Sequence, residues 1–131
     1  MEINNKLLRE NLKYPEYKLQ IIYLTEEWQK QMNLGHYIIE NTFLDITHPN
    51  DESIIAETTS NWQYLEANIN WYMDKVITLR KNALERTVVH ELSHVLISPM
   101  ENQIKKGKEE YAELAVESIA RALMVMKYGR I

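Results

Sequence analysis

Three glycines and three prolines are all the punctuation that this chain of 131 residues carries. So few breaks predict long regular elements joined by few flexible linkers. Cysteine is absent altogether. That excludes a disulfide framework, a thiolate zinc knuckle or ribbon, an iron–sulfur site and a cysteine nucleophile. Stability must come from a hydrophobic core, and any metal must be held by His, Asp or Glu. The length is that of one domain, 1–131, able to bury roughly two thirds of its unfolded surface. A net charge of −4 argues against a duplex-binding protein, so no nucleic-acid partner is expected. No apolar run approaches the ~18–20 residues of a membrane span, and the first residues lack the apolar core of a secretory signal. The expected address is the cytosol, with no membrane partner.

Periodicity sketches the order of elements. Residues 4–13 read as a short helix closed off before Pro15. Tyr17–Leu24, rich in β-branched and aromatic residues, reads as a strand, and Thr25 then caps a helix ending near Gly35. The stretch 36–61 is the least legible: 36–46 fits strand or helix, and 47–51 is a turn. In 64–72, Leu65, Ala67, Ile69 and Trp71 alternate with polar residues, the mark of a strand with one buried side. Asn82 and Glu85 approximate a capping box that opens a helix running to about Ser98, before Pro99. A lysine-rich loop leads to a last helix over roughly 109–127. The layout is α+β, with a small sheet and two long C-terminal helices.

The penultimate helix holds His90-Glu91-Leu92-Ser93-His94, an H-E-x-x-H pattern. Two histidines four apart share one helix face and converge on a single ion, while Glu91 projects about 100° round the helix. Zinc bound there would lower the pKa of a coordinated water towards ~7, and Glu91 would take its proton as the water attacks a carbonyl. With four histidines in the chain, chance supplies about 0.015 such matches. Apolar residues (Leu84, Val88, Val89, Leu92, Val95, Leu96) cover most of the remaining surface of this helix. A buried stripe of two histidines needs partners, and a metal is the economical one.

A catalytic zinc site wants a third protein ligand and one open position. No Asp follows Asp74 and no His follows His94, so a downstream ligand must be Glu101, Glu109, Glu110, Glu113 or Glu117. On the last helix, Ala112, Ala115, Val116, Ile119, Leu123 and Met126 form an apolar face, and Glu113 and Glu117 lie nearest its edge. The ligand set favours zinc, although two His and one carboxylate also suit non-haem iron.

At these residues the sequence resembles a minimal gluzincin-type zinc metallopeptidase of phages and bacteria, and more distantly the ImmA/IrrE-type metallopeptidases. The likeness is carried by 84–96 (LERTVVHELSHVL) and 115–123 (AVESIARAL), about the C-terminal third of the chain. It implies a small zincin-like domain with a short, mostly antiparallel sheet packed on the H-E-x-x-H helix and on a C-terminal glutamate-bearing helix. It further implies zinc on His90, His94 and Glu117, with Glu91 as base, and a protein or peptide substrate in the bacterial cytosol. Strand 64–72 would be the edge strand beside the cleft, pairing with extended substrate. Tyr111 and His48 are candidates for the family's transition-state Tyr or His, while His36 and His48 read more readily as spectators. The competing expectation is a binding or regulatory protein on the same scaffold, with a structural or vestigial ion.

Overall fold

The computed structural model describes residues 2–129, with side chains described from Pro15 onward except that of Lys81. Seven elements follow in order: α1 (Glu2–Gln31), β1 (Ile38–Leu44), β2 (Ala56–Asn61), β3 (Glu66–Tyr72), α2 (Met73–Val76), α3 (Lys81–Glu101) and α4 (Glu109–Tyr128). The class is α+β.

The first difference from the sequence reading is α1. One helix continues through Pro15 and absorbs both the strand expected over 17–24 and the cap expected at Thr25. Ile21, Leu24, Thr25, Trp28 and Met32 are the buried positions, spaced for a helix and not for a strand. Thr25 lies mid-helix, its hydroxyl donating to the Ile21 carbonyl at 2.7 Å.

The sheet is mixed, with order β1-β3-β2: β3 lies parallel to β1 and antiparallel to β2. It is therefore not mostly antiparallel, and the segment expected at the edge, 64–72, supplies the central strand instead. The chain leaves β1, crosses to the far side to lay down β2, and returns through a tight turn into the gap between them. Ala67, Ile69 and Trp71 face the core, as the alternation requires. Leu65 drops out of the strand because its backbone is left-handed (φ 56°), closing the turn from β2. That position costs an L-residue roughly 1–2 kcal/mol.

Helix α3 packs against α1, α4 and β2, and its Leu84, Val88, Val89, Leu92 and Val95 are fully buried. It passes Pro99 without stopping. Proline cannot donate to the Val95 carbonyl, and the Ser98 hydroxyl does so instead at 2.9 Å. Its N-terminus is not a capping box: Arg80 takes the cap position, with no side-chain hydrogen bond. Glu85 turns inward, where it accepts from Trp28 Nε1 at 2.8 Å, from Lys127 Nζ at 2.7 Å and from the Tyr128 hydroxyl. This ties the ends of α4 and α1 to the start of α3. Among the described residues, no helix is long and apolar enough to cross a membrane.

Candidate metal centre

Because α3 is apolar on its inner faces, its one polar stripe must lie where packing leaves a gap. That gap is a cleft of about 570 Å3. Its floor is α3, its first wall is edge strand β2 with the residues leading into it, and its second wall is α4. His90, Glu91, His94, Glu101, Glu113 and Glu117 all line it, as do Arg86 and Thr58.

The two imidazoles stand 5.2 Å apart, centroid to centroid, and each meets a carboxylate at its Nδ1. Nδ1 of His90 lies 3.0 Å from Glu117 Oε2, and Nδ1 of His94 lies 2.7 Å from Glu101 Oε1. Donation from Nδ1 leaves the lone pair of each ring on Nε2. Both Nε2 atoms face the carboxylate of Glu113, at 3.4 Å for His90 and 3.1 Å for His94. Three acceptor groups thus converge with no donor among them, unless the rings carry second protons. Their ligand atoms all lie within 4.8 Å of one another, and among the described residues this is the one His/Asp/Glu group so arranged. Two imidazole nitrogens and a carboxylate oxygen are a donor set that suits a divalent transition metal.

Glu117, the residue expected to complete the set, is brought to the same cluster but to its outer side. It contacts His90 on the nitrogen turned away from Glu113, and its other oxygen accepts from Arg121 Nε at 3.1 Å. The Arg121 guanidinium, and after it the His90 ring, outweigh partial burial and hold the Glu117 carboxyl below the usual carboxylate range. Glu113 and Glu117 are one helical turn apart on α4. Helical placement alone could not say which turn of α4 would lie level with the Nε2 atoms.

Glu91 is buried, 5% exposed, and burial pushes its carboxyl up despite a hydrogen bond from Thr58 and the nearness of both histidines. The Thr58 hydroxyl, on β2, donates to Glu91 Oε1 at 2.8 Å. Thr58 escaped the sequence reading because nothing in the illegible 36–61 stretch distinguishes it. Glu101 was one of five candidates, and its role depends on α3 continuing past Pro99.

The remaining histidines and Tyr111 lie elsewhere. His48 is consumed by its own loop: Nδ1 accepts from the Asn50 and Asp51 amides, both at 3.1 Å, and Nε2 lies 3.0 Å from Glu57. The Tyr72 hydroxyl donates to the same Glu57 at 2.6 Å, and that bond, with burial, pushes its pKa up to about 12. His36 is exposed beside the Tyr37 ring. Tyr111 is 56% exposed beneath the ammonium of Lys108. Neither His48 nor Tyr111 lines the cleft. Comparison of the chain with protein-family profiles, with curated proteins and with solved structures finds no match.

Proposed function

We propose that the chain is a zinc-dependent peptidase in which His90, His94 and Glu113 hold the ion and Glu91 moves the proton. The observation that carries this reading is the paired capping of the histidines. Glu117 and Glu101 each occupy an Nδ1, which leaves both Nε2 atoms free to meet a Glu113 oxygen, the three lying within 4.8 Å of one another. Carboxylates behind ligating imidazoles fix tautomer and orientation, and such partners commonly tune affinity by about 10–100-fold. The resemblance to small zincins supports a His, His, Glu donor set but implied Glu117 as its third member; the approach of Glu113 to both Nε2 atoms, at 3.4 and 3.1 Å, favours Glu113 there instead, with Glu117 behind His90.

A divalent ion on these residues supplies Lewis acidity to a carbonyl and lowers the pKa of a water. Glu91 does the rest of the proton chemistry. Its buried carboxyl, with a raised affinity for protons, accepts one from the attacking water and returns it to the leaving amine. Thr58 fixes which oxygen of Glu91 is engaged, leaving Oε2 for the reaction. The cleft lies along β2, which has a strand partner on one side only. An extended peptide laid beside β2 gains backbone hydrogen bonds while its scissile carbonyl reaches the histidines. Arg86, on the cleft floor one turn before His90, is the one cationic side chain of the lining.

One observation favours the second reading, a binding protein with a structural ion: neither His48 nor Tyr111 reaches the cleft to stabilise an oxyanion. Metal content and hydrolysis of a mixed peptide library separate the two. Wild type should carry one zinc per chain and cleave peptides, and Glu91→Gln should keep the zinc and lose about 100-fold or more in rate. Full activity in that variant would remove Glu91 from the mechanism, and a zinc-loaded wild type that cleaves nothing would favour the binding protein.

A further inference from the structure

Helix α4 has a second apolar face. Its inner face, Ala112, Val116, Ala120 and Met124, is buried on the rest of the domain. A helix packed on one side only ordinarily turns charge to the other. Here Tyr111, Leu114, Ala115, Ser118, Ala122, Val125 and Met126 follow one another at helical spacing, and every one is exposed. Leu114 is 64% and Met126 81% exposed. The stripe contains no charged residue and runs for about 22 Å. It lies on a different side of α4 from the cleft-facing Glu113 and Glu117.

We infer that this stripe is the contact surface of a homodimer in which two copies of α4 pack antiparallel about Ser118. Two features select a second copy as the occupant. The first is shape. Small residues (Ala115, Ser118, Ala122) occupy the middle and larger ones the ends, so a two-fold axis near Ser118 sets Leu114 over the partner's Ala122 and Tyr111 beside the partner's Val125. Such an isologous contact is self-complementary. The second is charge. On the flank of the stripe, the exposed Glu110 precedes Ser118 and the exposed Arg121 follows it. Antiparallel pairing turns Arg121 of each helix towards Glu110 of the other and also opposes the helix dipoles. A parallel pair would set like against like. The contact leaves the metal cleft open on each subunit.

Sedimentation velocity from about 5 to about 500 μM tests this on the full chain, a range that suits an interface of modest area. Wild type should shift from the 15.6 kDa monomer towards twice that mass, and Leu114→Asp should weaken association at least tenfold. Since the chain has no cysteine, single thiols report orientation independently of that variant's folding. Ser118→Cys should oxidise to a covalent dimer, and Tyr111→Cys should not, because its partner position is 125. A wild type that stays monomeric throughout, a Leu114→Asp chain that dimerises like wild type, or Tyr111→Cys cross-linking as fast as Ser118→Cys would each overturn the inference.

Discussion

Glu113 and Glu117, four residues apart on α4, meet opposite nitrogens of the same ring: Glu113 faces His90 Nε2 at 3.4 Å and Glu117 faces Nδ1 at 3.0 Å. In the proposed site, one helical turn thus separates the carboxylate that would share the ion from the one that would orient the imidazole. Glu113→Ala should therefore lower zinc affinity by more than about 100-fold. Glu117→Gln and Glu101→Gln, each leaving the Nε2 cluster intact, should cost about 10–100-fold. Competition with a chromophoric chelator measures all three. A larger loss at Glu117 than at Glu113 would return the third position to Glu117.

Thr58 joins the edge strand to Glu91 through one hydroxyl. Thr58→Val keeps the shape and removes the donor, so it should leave zinc content unchanged and lower kcat about tenfold, a change of about 1.4 kcal/mol in the barrier. The hydrogen bond opposes the upward push of burial on the Glu91 carboxyl. Its removal raises that group further, so the acid limb of kcat/KM should move to higher pH. Thr58→Ser should restore both rate and limb. A valine variant with the wild-type profile would leave Thr58 no part in the mechanism.

The histidine pair and the one-sided strand were legible because their constraints are local. The H-E-x-x-H spacing places His90 and His94 on one face of any helix, and the alternation of Ala67, Ile69 and Trp71 marks a one-sided strand wherever it pairs. What failed depended on tertiary context. Position 64–72 could be read as a strand, but whether it lay at the edge or the centre depends on β2, whose AETTSN sequence has no apolar alternation. Pro99 looked like a stop because the rescue of the Val95 carbonyl by Ser98 is a side-chain detail, and with the stop went the reach of Glu101 to His94. Glu85 looked like a cap because its three partners lie 42 to 57 residues away in the chain.

The misread segment 17–24 supplies its own test. As a strand it would put Leu19, Ile21 and Tyr23 on one face, whereas α1 buries Ile21 and Leu24 and leaves Leu19 at 69% and Tyr23 at 61% exposure. Ile21→Ala and Leu24→Ala should each cost about 2–5 kcal/mol in urea unfolding. Leu19→Ala and Tyr23→Ala should stay within about 0.5 kcal/mol of wild type. Equal losses at positions 19 and 21 would contradict the helix.

Glu85 makes stability depend on pH in a defined direction. Burial alone would raise its pKa, but donation from Lys127, Tyr128 and Trp28 overcomes burial and holds the carboxyl below its ordinary 4.5. A folded-state pKa below the unfolded one means that the contribution is fully present above the unfolded value and is lost as pH falls through the folded one. Glu85→Gln should therefore cost about 1–3 kcal/mol at pH 7, since Lys127 then lacks its counter-charge and three donors lose a carboxylate. The gap between variant and wild type should narrow as pH falls below the ordinary glutamate range, about 4.3–4.5. Urea unfolding of both proteins at neutral and at acid pH reads it directly. A gap that is constant or widens on acidification would show that Glu85 is held by packing and not by its charge.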